Sequence, residues 1–336
     1  MNTALVKEIV EKKYDIHVNC IDKNKNVYHI QAFEGNFCFK IIKYSFGHFL
    51  FIINAMRHLQ NKGFQNIPKF IVATDGKDYI EIENKYAYLT EWIDARVCDY
   101  EKSLDLIRAV SKLAELHKKS VGFQVTKNMK PRIGWLQWIK VFETRTNEIL
   151  DFKKRIDDKN NKTEFDLFYL DMMNKELQRS EKAIENLKKS KYVSKMKKEI
   201  IKKGFCHHDY AHHNVLISKE GTVTLIDFDY CMLDTHLHDL ASILIRTMKN
   251  GKWSMQKALF ILNSYHSINK VYEDDIPIIS AFMEFPQAYW QVGIQYYWEK
   301  QPWGEEFFLN KLNKIYMDNE QRKTFINKFR YFKYDI

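Results

Sequence analysis

The stretch His207-His208-Asp209-Tyr210-Ala211-His212-His213-Asn214 is followed by Asp227-Phe228-Asp229, thirteen positions beyond Asn214. An Asp, an Asn five residues later and another Asp past a short hairpin are the side chains that phosphoryl transfer from a magnesium-bound nucleotide requires. One carboxylate, Asp209, must sit beside an acceptor hydroxyl as catalytic base. The Asn214 amide and the Asp227 carboxylate must converge on Mg²⁺, a hard ion that takes oxygen ligands and leaves its other positions to water and phosphate. His207 and Asp229 flank this set as supporting residues.

The neighbouring residues agree. Asn214-Val215-Leu216-Ile217-Ser218 reads as a short apolar strand, Lys219-Glu220-Gly221 turns the chain, and Thr222-Val223-Thr224-Leu225-Ile226 delivers Asp227 at the end of a second strand. A hairpin of that length brings Asn214 and Asp227 together locally. Upstream, residues 3–13 have a helical period. Strands follow at 27–33 and 37–42 about the turn Glu34-Gly35-Asn36, then a helix over Phe46–Asn61 that stops at Gly63, then strands at 69–73, 78–82 and 86–92. Beyond Asp94 the helical period dominates. Ser103 is placed to cap a helix with Leu104, Ile107, Val110, Leu113, Ala114 and His117 on one face, and Thr163 with Asp166 forms a capping box for a helix toward Lys189. The aromatic residues between Phe282 and Trp303 fall at helical spacing and read as core. Together these patterns predict an α+β, bilobal, protein kinase-like fold. Residues 1–93 form a small antiparallel β-sheet N-lobe with one helix. Residues 94–336 form a larger, mostly helical C-lobe, holding the catalytic loop 207–214, the metal loop 227–229 and a helical insert at about 120–203.

In such a fold Lys40, within the apolar strand Phe37-Cys38-Phe39-Lys40-Ile41-Ile42, reaches the ATP phosphates. A lysine facing water from an edge strand would fit the same pattern. The segment Thr90-Glu91-Trp92-Ile93 suits a hinge where the backbones of Glu91 and Ile93 bond adenine. Two expected features are missing. The turn Asp22-Lys23-Asn24-Lys25-Asn26 is no GxGxxG loop, and no acid lies between Ile41 and Gln65 to pair with Lys40. Losing one side of a buried pair costs roughly 3–5 kcal/mol, so Lys40 needs another carboxylate, a phosphate or water. Asp227 is a candidate partner in the absence of nucleotide.

With 45% hydrophobic and 29% charged residues in 336, the chain has the make-up of an ordinary globular protein with ample core. Its net charge is +10, and nine lysines crowd 182–203 against only Glu185 and Glu199. Lysines with few interleaved aromatics read as a solvated helix face rather than a nucleic-acid surface, while an acidic partner or phosphorylated ligand stays open. Five scattered cysteines without CxxC spacing fit reduced thiols. The early charges Lys7, Glu8, Glu11, Lys12 and Lys13 lead us to expect no signal peptide, and no apolar run is long enough to span a membrane. Cytoplasmic synthesis without secretion is therefore expected.

The chain resembles the aminoglycoside phosphotransferase/choline kinase superfamily, and within it the CotS-type spore coat proteins. The resemblance rests on Tyr88–Ile93 with Arg96, Leu113–His117, Cys206–Asp209 through Asn214–Ile217, Ile226–Cys231, His238–Ala241 and Phe285–Trp290. It implies ATP and Mg²⁺ as cofactors and adds Asp239 as the residue that braces the catalytic loop. It also implies residence in the spore coat among other coat proteins, and transfer to an unidentified small-molecule or protein acceptor through a hydroxyl or amine. The chain departs from the pattern at His208, where related phosphotransferases carry Gly. Two readings stand: a working ATP/Mg-dependent phosphotransferase, favoured by Asp209, Asn214 and Asp227, and a catalytically inactive coat protein on a kinase fold, favoured by the missing helix acid and Gly-rich loop. A third, zinc held by histidines 207, 208, 212, 213, 236 and 238, is weakened because four of them are adjacent pairs and the loop motif already accounts for His207.

Overall fold

The alternation over residues 18–41 becomes three antiparallel strands, β1 (Val18–Asn24), β2 (Val27–Ala32) and β3 (Gly35–Ile41). These belong to a computed structural model that describes residues 1–334. Before them runs α1 (Thr3–Tyr14), whose Asn2 cap accepts the Leu5 N–H at 2.8 Å. After them come α2 (Phe46–Asn61), β4 (Phe70–Ile71), β5 (Ile80–Ile82) and β6 (Lys85–Glu91). The sheet order is β1-β2-β3-β6-β4, with β5 on β6. Alternate side chains of β2 and β3, among them Tyr28, Ile30, Phe37 and Phe39, bury against Val6, Val10 and Tyr14 of α1. The register sets Lys40 opposite Val27 on one side and Tyr88 on the other, away from the sheet edge.

Contacts divide the chain into two compact units. The first comprises residues 1–132 and 209–232, and the second residues 133–208 and those from 233 onward. The first unit thus runs past residue 93. It takes in β7 (Arg96–Val97), α3 (Ser103–Ser120), β8 (Val215–Ile217) and β9 (Val223–Leu225). The strands β7, β8 and β9 form a second antiparallel sheet. Asn66 ties it to the chain beyond α2: the Asn66 side chain donates to the Val223 carbonyl at 2.8 Å, and the Asn66 carbonyl accepts from Leu225 N–H. The β8–β9 turn needs Gly221 at φ +86°, a conformation that disfavours a Cβ.

Helix α3 differs from expectation. Its capping position is Lys102, which makes no side-chain cap, and Leu104 and Ile107 are 60% and 37% exposed. The buried face instead carries Leu106, Ala109, Val110, Leu113 and His117. The rotation follows from Asp105. Its buried carboxylate accepts both Arg96 guanidinium nitrogens at 2.6 and 2.8 Å and the Asp99 N–H at 3.0 Å, turning that side of the first turn inward.

The second unit is helical: α4 (Trp138–Asp157), α5 (Glu164–Lys189), α6 (Tyr192–Lys202), α7 (Leu237–Met248), α8 (Met255–His266), α9 (Asp275–Glu284), α10 (Gln287–Gly293) and α11 (Glu305–Arg330). The Thr163–Asp166 capping box opens α5 as expected. Of the 282–303 aromatic stretch, Tyr289 and Tyr297 are core among Phe152, Phe165 and Tyr169, whereas Trp298 and Trp303 at its end are exposed, against expectation. No helix among the described residues is long and apolar enough to cross a membrane. The lysine-rich segment is largely neutralised where it stands: Lys188, Lys189, Lys191, Lys195 and Lys202 pair with Glu143, Glu185, Asp274, Asp275 and Glu199.

Glu199 anchors that helix. It is 6% exposed and meets His236 Nδ1 at 3.3 Å, Lys202 at 3.0 Å and Lys195 at 3.8 Å. Burial alone would raise its carboxyl; His236, then Lys202 and Lys195, overcome that and hold it at about 2 against an ordinary 4.5. A depressed carboxyl stabilises fully above its unfolded value, so this contribution is present above pH 4.5 and disappears as pH falls toward 2. The full contribution is about 3 kcal/mol. Glu199→Gln is therefore expected to lower the urea midpoint at neutral pH and to flatten the decline of that midpoint between pH 4.5 and 2. An unchanged acid limb would show that the carboxylate carries no such linkage.

Candidate active site

The hairpin β8–β9 does what its length requires. Asn214 closes a single 3₁₀ turn (His212–Asn214) just before β8, and Asp227 follows β9 at the start of another (Phe228–Tyr230). The Ile226 N–H donates to the Asn214 carbonyl at 3.0 Å, locking the two ends side by side. Asn214 Nδ2 donates to the Asp209 carbonyl at 2.9 Å and to Asp209 Oδ2 at 3.3 Å. With its NH₂ turned to Asp209, Asn214 has its amide oxygen left as an acceptor. Asp209, Asn214 and Asp227, predicted from spacing alone, are thus brought together. Asp227 adopts φ +62°, a left-handed conformation that Asp tolerates better than most residues.

Lys40 resolves the missing acid. It is 6% exposed, and its ammonium donates to Asp227 Oδ1 at 2.8 Å and to Asp229 Oδ1 at 2.7 Å. Burial by itself would lower the Lys40 pKa; the charges on Asp229 and Asp227 outweigh it and raise it, so Lys40 is a cation at any physiological pH. Asp229 in turn accepts the Tyr44 hydroxyl on Oδ1 at 2.9 Å, and its backbone carbonyl lies 3.3 Å from His48 Nε2. Burial and then Asp229 push the Tyr44 phenol well above its ordinary range, which keeps the hydroxyl a donor.

A cavity of about 210 Å³ opens beside these groups. Asn214, Asp227 and Lys40 stand on its wall, Val27, Leu216 and Ile226 give it apolar surface, and Glu91, Trp92 and Ile93 border it. Polar groups at one part of an otherwise apolar cleft are the usual make-up of a small-molecule site. The hinge residues differ from one another. The Glu91 N–H is committed to the Lys69 carbonyl at 3.1 Å and Trp92 N–H to the Asn36 carbonyl at 2.9 Å. Of the two predicted contacts, Glu91 therefore has only its carbonyl to offer, whereas the Ile93 N–H has no partner among the described residues. The Trp92 ring stacks on His29 with centroids 3.9 Å apart. Cys38 also lines the cavity, and burial pushes its thiol up to about 11, so it is no nucleophile at neutral pH. In place of a Gly-rich loop, a two-residue turn at Lys25-Asn26 joins β1 to β2, and Asn26 is tied to Ile41 by its side chain at 3.2 Å and its carbonyl at 3.1 Å.

The second unit holds the residues just before Asp209. Asp239, buried at the start of α7, accepts the His207 N–H on Oδ2 at 2.8 Å and the His208 N–H on Oδ1 at 2.9 Å. His208 sits at φ +68°, which explains why glycine suits this position, and its ring stacks on His238 with centroids 3.8 Å apart and planes 9° from parallel. Parallel stacked rings cannot both aim their nitrogens at one ion. His236 instead faces Glu199. Among the described residues, Cys206, His238 and Asp239 are the one group whose donor atoms lie close enough to share an ion, and both Asp239 oxygens already take backbone N–H groups. Among the described residues the six histidines form no group of donor atoms close enough to share one ion.

Spacing could not expose Tyr44 or His48, because each meets Asp229 only in the folded chain. Tyr44, four residues past Lys40, carried the faintest signal.

Comparison with known proteins accords with this geometry. The family described as "Spore coat putative kinase YutH" matches residues 7–329. Spore coat protein S of Bacillus subtilis (strain 168) is 23% identical over 331 residues, covering 96% of this chain and 93% of that protein. Among solved structures, an aminoglycoside phosphotransferase from Alicyclobacillus acidocaldarius superposes with a TM-score of 0.82 at 20% identity, covering 96% of this chain and 94% of the other. A spectinomycin phosphotransferase, solved with ADP and spectinomycin, superposes with a TM-score of 0.67 at 15% identity over 98% of both chains. These likenesses establish the kinase-like fold and bear out the CotS-type resemblance. The chain belongs to the family of spore coat putative kinases represented by YutH.

Proposed function

We propose that the protein is an ATP- and Mg²⁺-dependent phosphotransferase of the spore coat, acting on a hydroxyl or amine of a small-molecule or protein acceptor. The observation that carries this reading is the convergence of Lys40, Asn214 and Asp227 on one cavity, with Asp209 hydrogen-bonded to Asn214. The Asn214 amide oxygen and the Asp227 carboxylate are hard oxygen donors and fit Mg²⁺, which neutralises phosphate charge when bound. Lys40 supplies fixed positive charge to the phosphates. Asp209 orients the acceptor hydroxyl and takes its proton, while Asn214 fixes the Asp209 carboxylate. The Glu91 carbonyl and Ile93 N–H hold the adenine edge, and Asp239, through His207 and His208, sets the backbone that leads into Asp209.

The coat setting comes from the family and from the relative named for the spore coat, and implies other coat proteins as partners after synthesis in the cytoplasm. A catalytically inactive coat scaffold is the second reading. It is favoured by the tight, glycine-free β1–β2 turn, which offers no flexible cover for phosphates.

Thermal unfolding separates the two. A ligand at 100 times its dissociation constant adds about 2.7 kcal/mol of stability, a shift of several degrees. The wild type is expected to show this shift with Mg·ATP and Asp227→Ala to lose the part of it that depends on Mg²⁺; no shift at millimolar nucleotide would favour the scaffold. Asp209→Asn is expected to keep the nucleotide shift but to lower ADP formation by about 10²–10⁴-fold, the usual contribution of a positioned base. Undiminished turnover in that variant would remove Asp209 from the base role.

A further inference from the structure

Helix α2 contains no carboxylate, yet Lys40 is buried and charged. We propose that Asp229 replaces a helix acid as the standing counter-ion of Lys40, that Tyr44 and His48 are its positioning residues, and that Asp227 is thereby left to the nucleotide site. This rests on the nucleotide reading given above.

The two carboxylates are two residues apart but differently placed. Asp227 lines the cavity, and its side chain is 42% exposed. Asp229 does not line the cavity, and its side chain is 20% exposed. Its Oδ1 takes both the Lys40 ammonium at 2.7 Å and the Tyr44 hydroxyl at 2.9 Å, so its orientation is fixed from two sides. His48 reaches the Asp229 backbone carbonyl, and the Tyr44 and His48 rings meet edge to face with centroids 5.2 Å apart. Both anchors leave the chain at the entrance to α2, the element that would otherwise carry the acid. The charge has moved from the helix to the metal-loop turn, and the helix start supplies neutral donors in its place. A carboxylate so held neutralises Lys40 whether or not Asp227 is engaged elsewhere. The competing assignment, in which Asp229 is a second metal ligand, makes a different prediction for metal-free nucleotide.

The experiment measures ATP affinity with and without Mg²⁺, together with the thermal midpoint without ligand. The proteins are the wild type, Asp229→Asn, Asp227→Asn, Tyr44→Phe and the double variant Asp229→Asn/Met56→Glu. Met56 is a buried α2 residue on the cavity wall, so glutamate there returns an acid to the helix. Asp229→Asn is expected to weaken ATP binding about tenfold both with and without Mg²⁺, and to lower the ligand-free midpoint more than Asp227→Asn does. Asp227→Asn should lose only the Mg²⁺-dependent part of binding. Tyr44→Phe should follow Asp229→Asn in direction with a smaller effect, and the added Met56→Glu should recover affinity.

Loss of only the Mg²⁺-dependent part in Asp229→Asn would make Asp229 a metal ligand and overturn the proposal. A Tyr44→Phe protein with unchanged midpoint and affinity would overturn the positioning role, even if the double variant fails to fold. Should the wild type bind no ATP, the nucleotide reading falls. The midpoints of Asp229→Asn and Asp227→Asn then still judge the counter-ion assignment, which fails if Asp227→Asn costs as much.

Discussion

Lys40 is the constraint around which the first unit is arranged. A buried ammonium is tolerated only if its charge is answered at close range, and an unanswered one would shed its proton or unfold its surroundings. Strand β3 places Lys40 at the centre of the sheet, between Val27 and Tyr88, so neither a slide to the edge nor a turn into water is open to it. The answering carboxylates come from sequence nearly two hundred positions away, on the turn after β9. That turn must therefore be held against the N-terminal sheet. Asn66 performs the task through two hydrogen bonds to β9, and Tyr44 and His48 through contacts to Asp229. The fold is specified here by a charge that cannot be left alone.

Much of this was legible in the sequence, for a physical reason. Asn214 and Asp227 stand at the two ends of one hairpin with Asp209 five residues before it, and such contacts are local: strand length and a turn glycine fix which side chains meet. Helix α2 ran from Phe46 to Asn61 as its apolar period indicated, because period and terminating glycine agree. The absence of an acid in α2 was equally legible, and with it the need for a substitute. Asp227 was a nameable candidate because it belongs to the motif. Asp229 as the closer of the two partners was not, since nothing in a sequence distinguishes two carboxylates two residues apart once their direction depends on a left-handed φ at Asp227.

Helix α3 shows the opposite case, where periodicity misled. Leu104 and Ile107 made a plausible apolar stripe with Val110 and Leu113, and the stripe was right only in its second half. A bidentate Arg96–Asp105 pair overrides the first turn, because a guanidinium fork bonded twice to a carboxylate fixes direction more firmly than one leucine gains by burial. The lysine-rich segment misleads similarly in charge counting. Its excess lies in the local sequence, whereas the acids that neutralise it come from α4 and the region of α9 as well as from its own turns.

The same electrostatics bear on whether the site is a relic. Burying one cation with two carboxylates rarely stabilises a protein relative to an apolar replacement of the same shape. Holding Asp227 in a left-handed conformation adds a cost of its own. A scaffold needing only the kinase-like outline would be served as well by Leu or Met at position 40 and by any turn residues at 227 and 229. Instead the chain keeps the ammonium, both carboxylates and the Asn214 amide, three of these groups on the wall of one cavity, and it adds Tyr44 and His48 to steady the fourth. Such an arrangement is costly as architecture and intelligible as a preorganised electrostatic site, in which the charges are fixed before any ligand arrives.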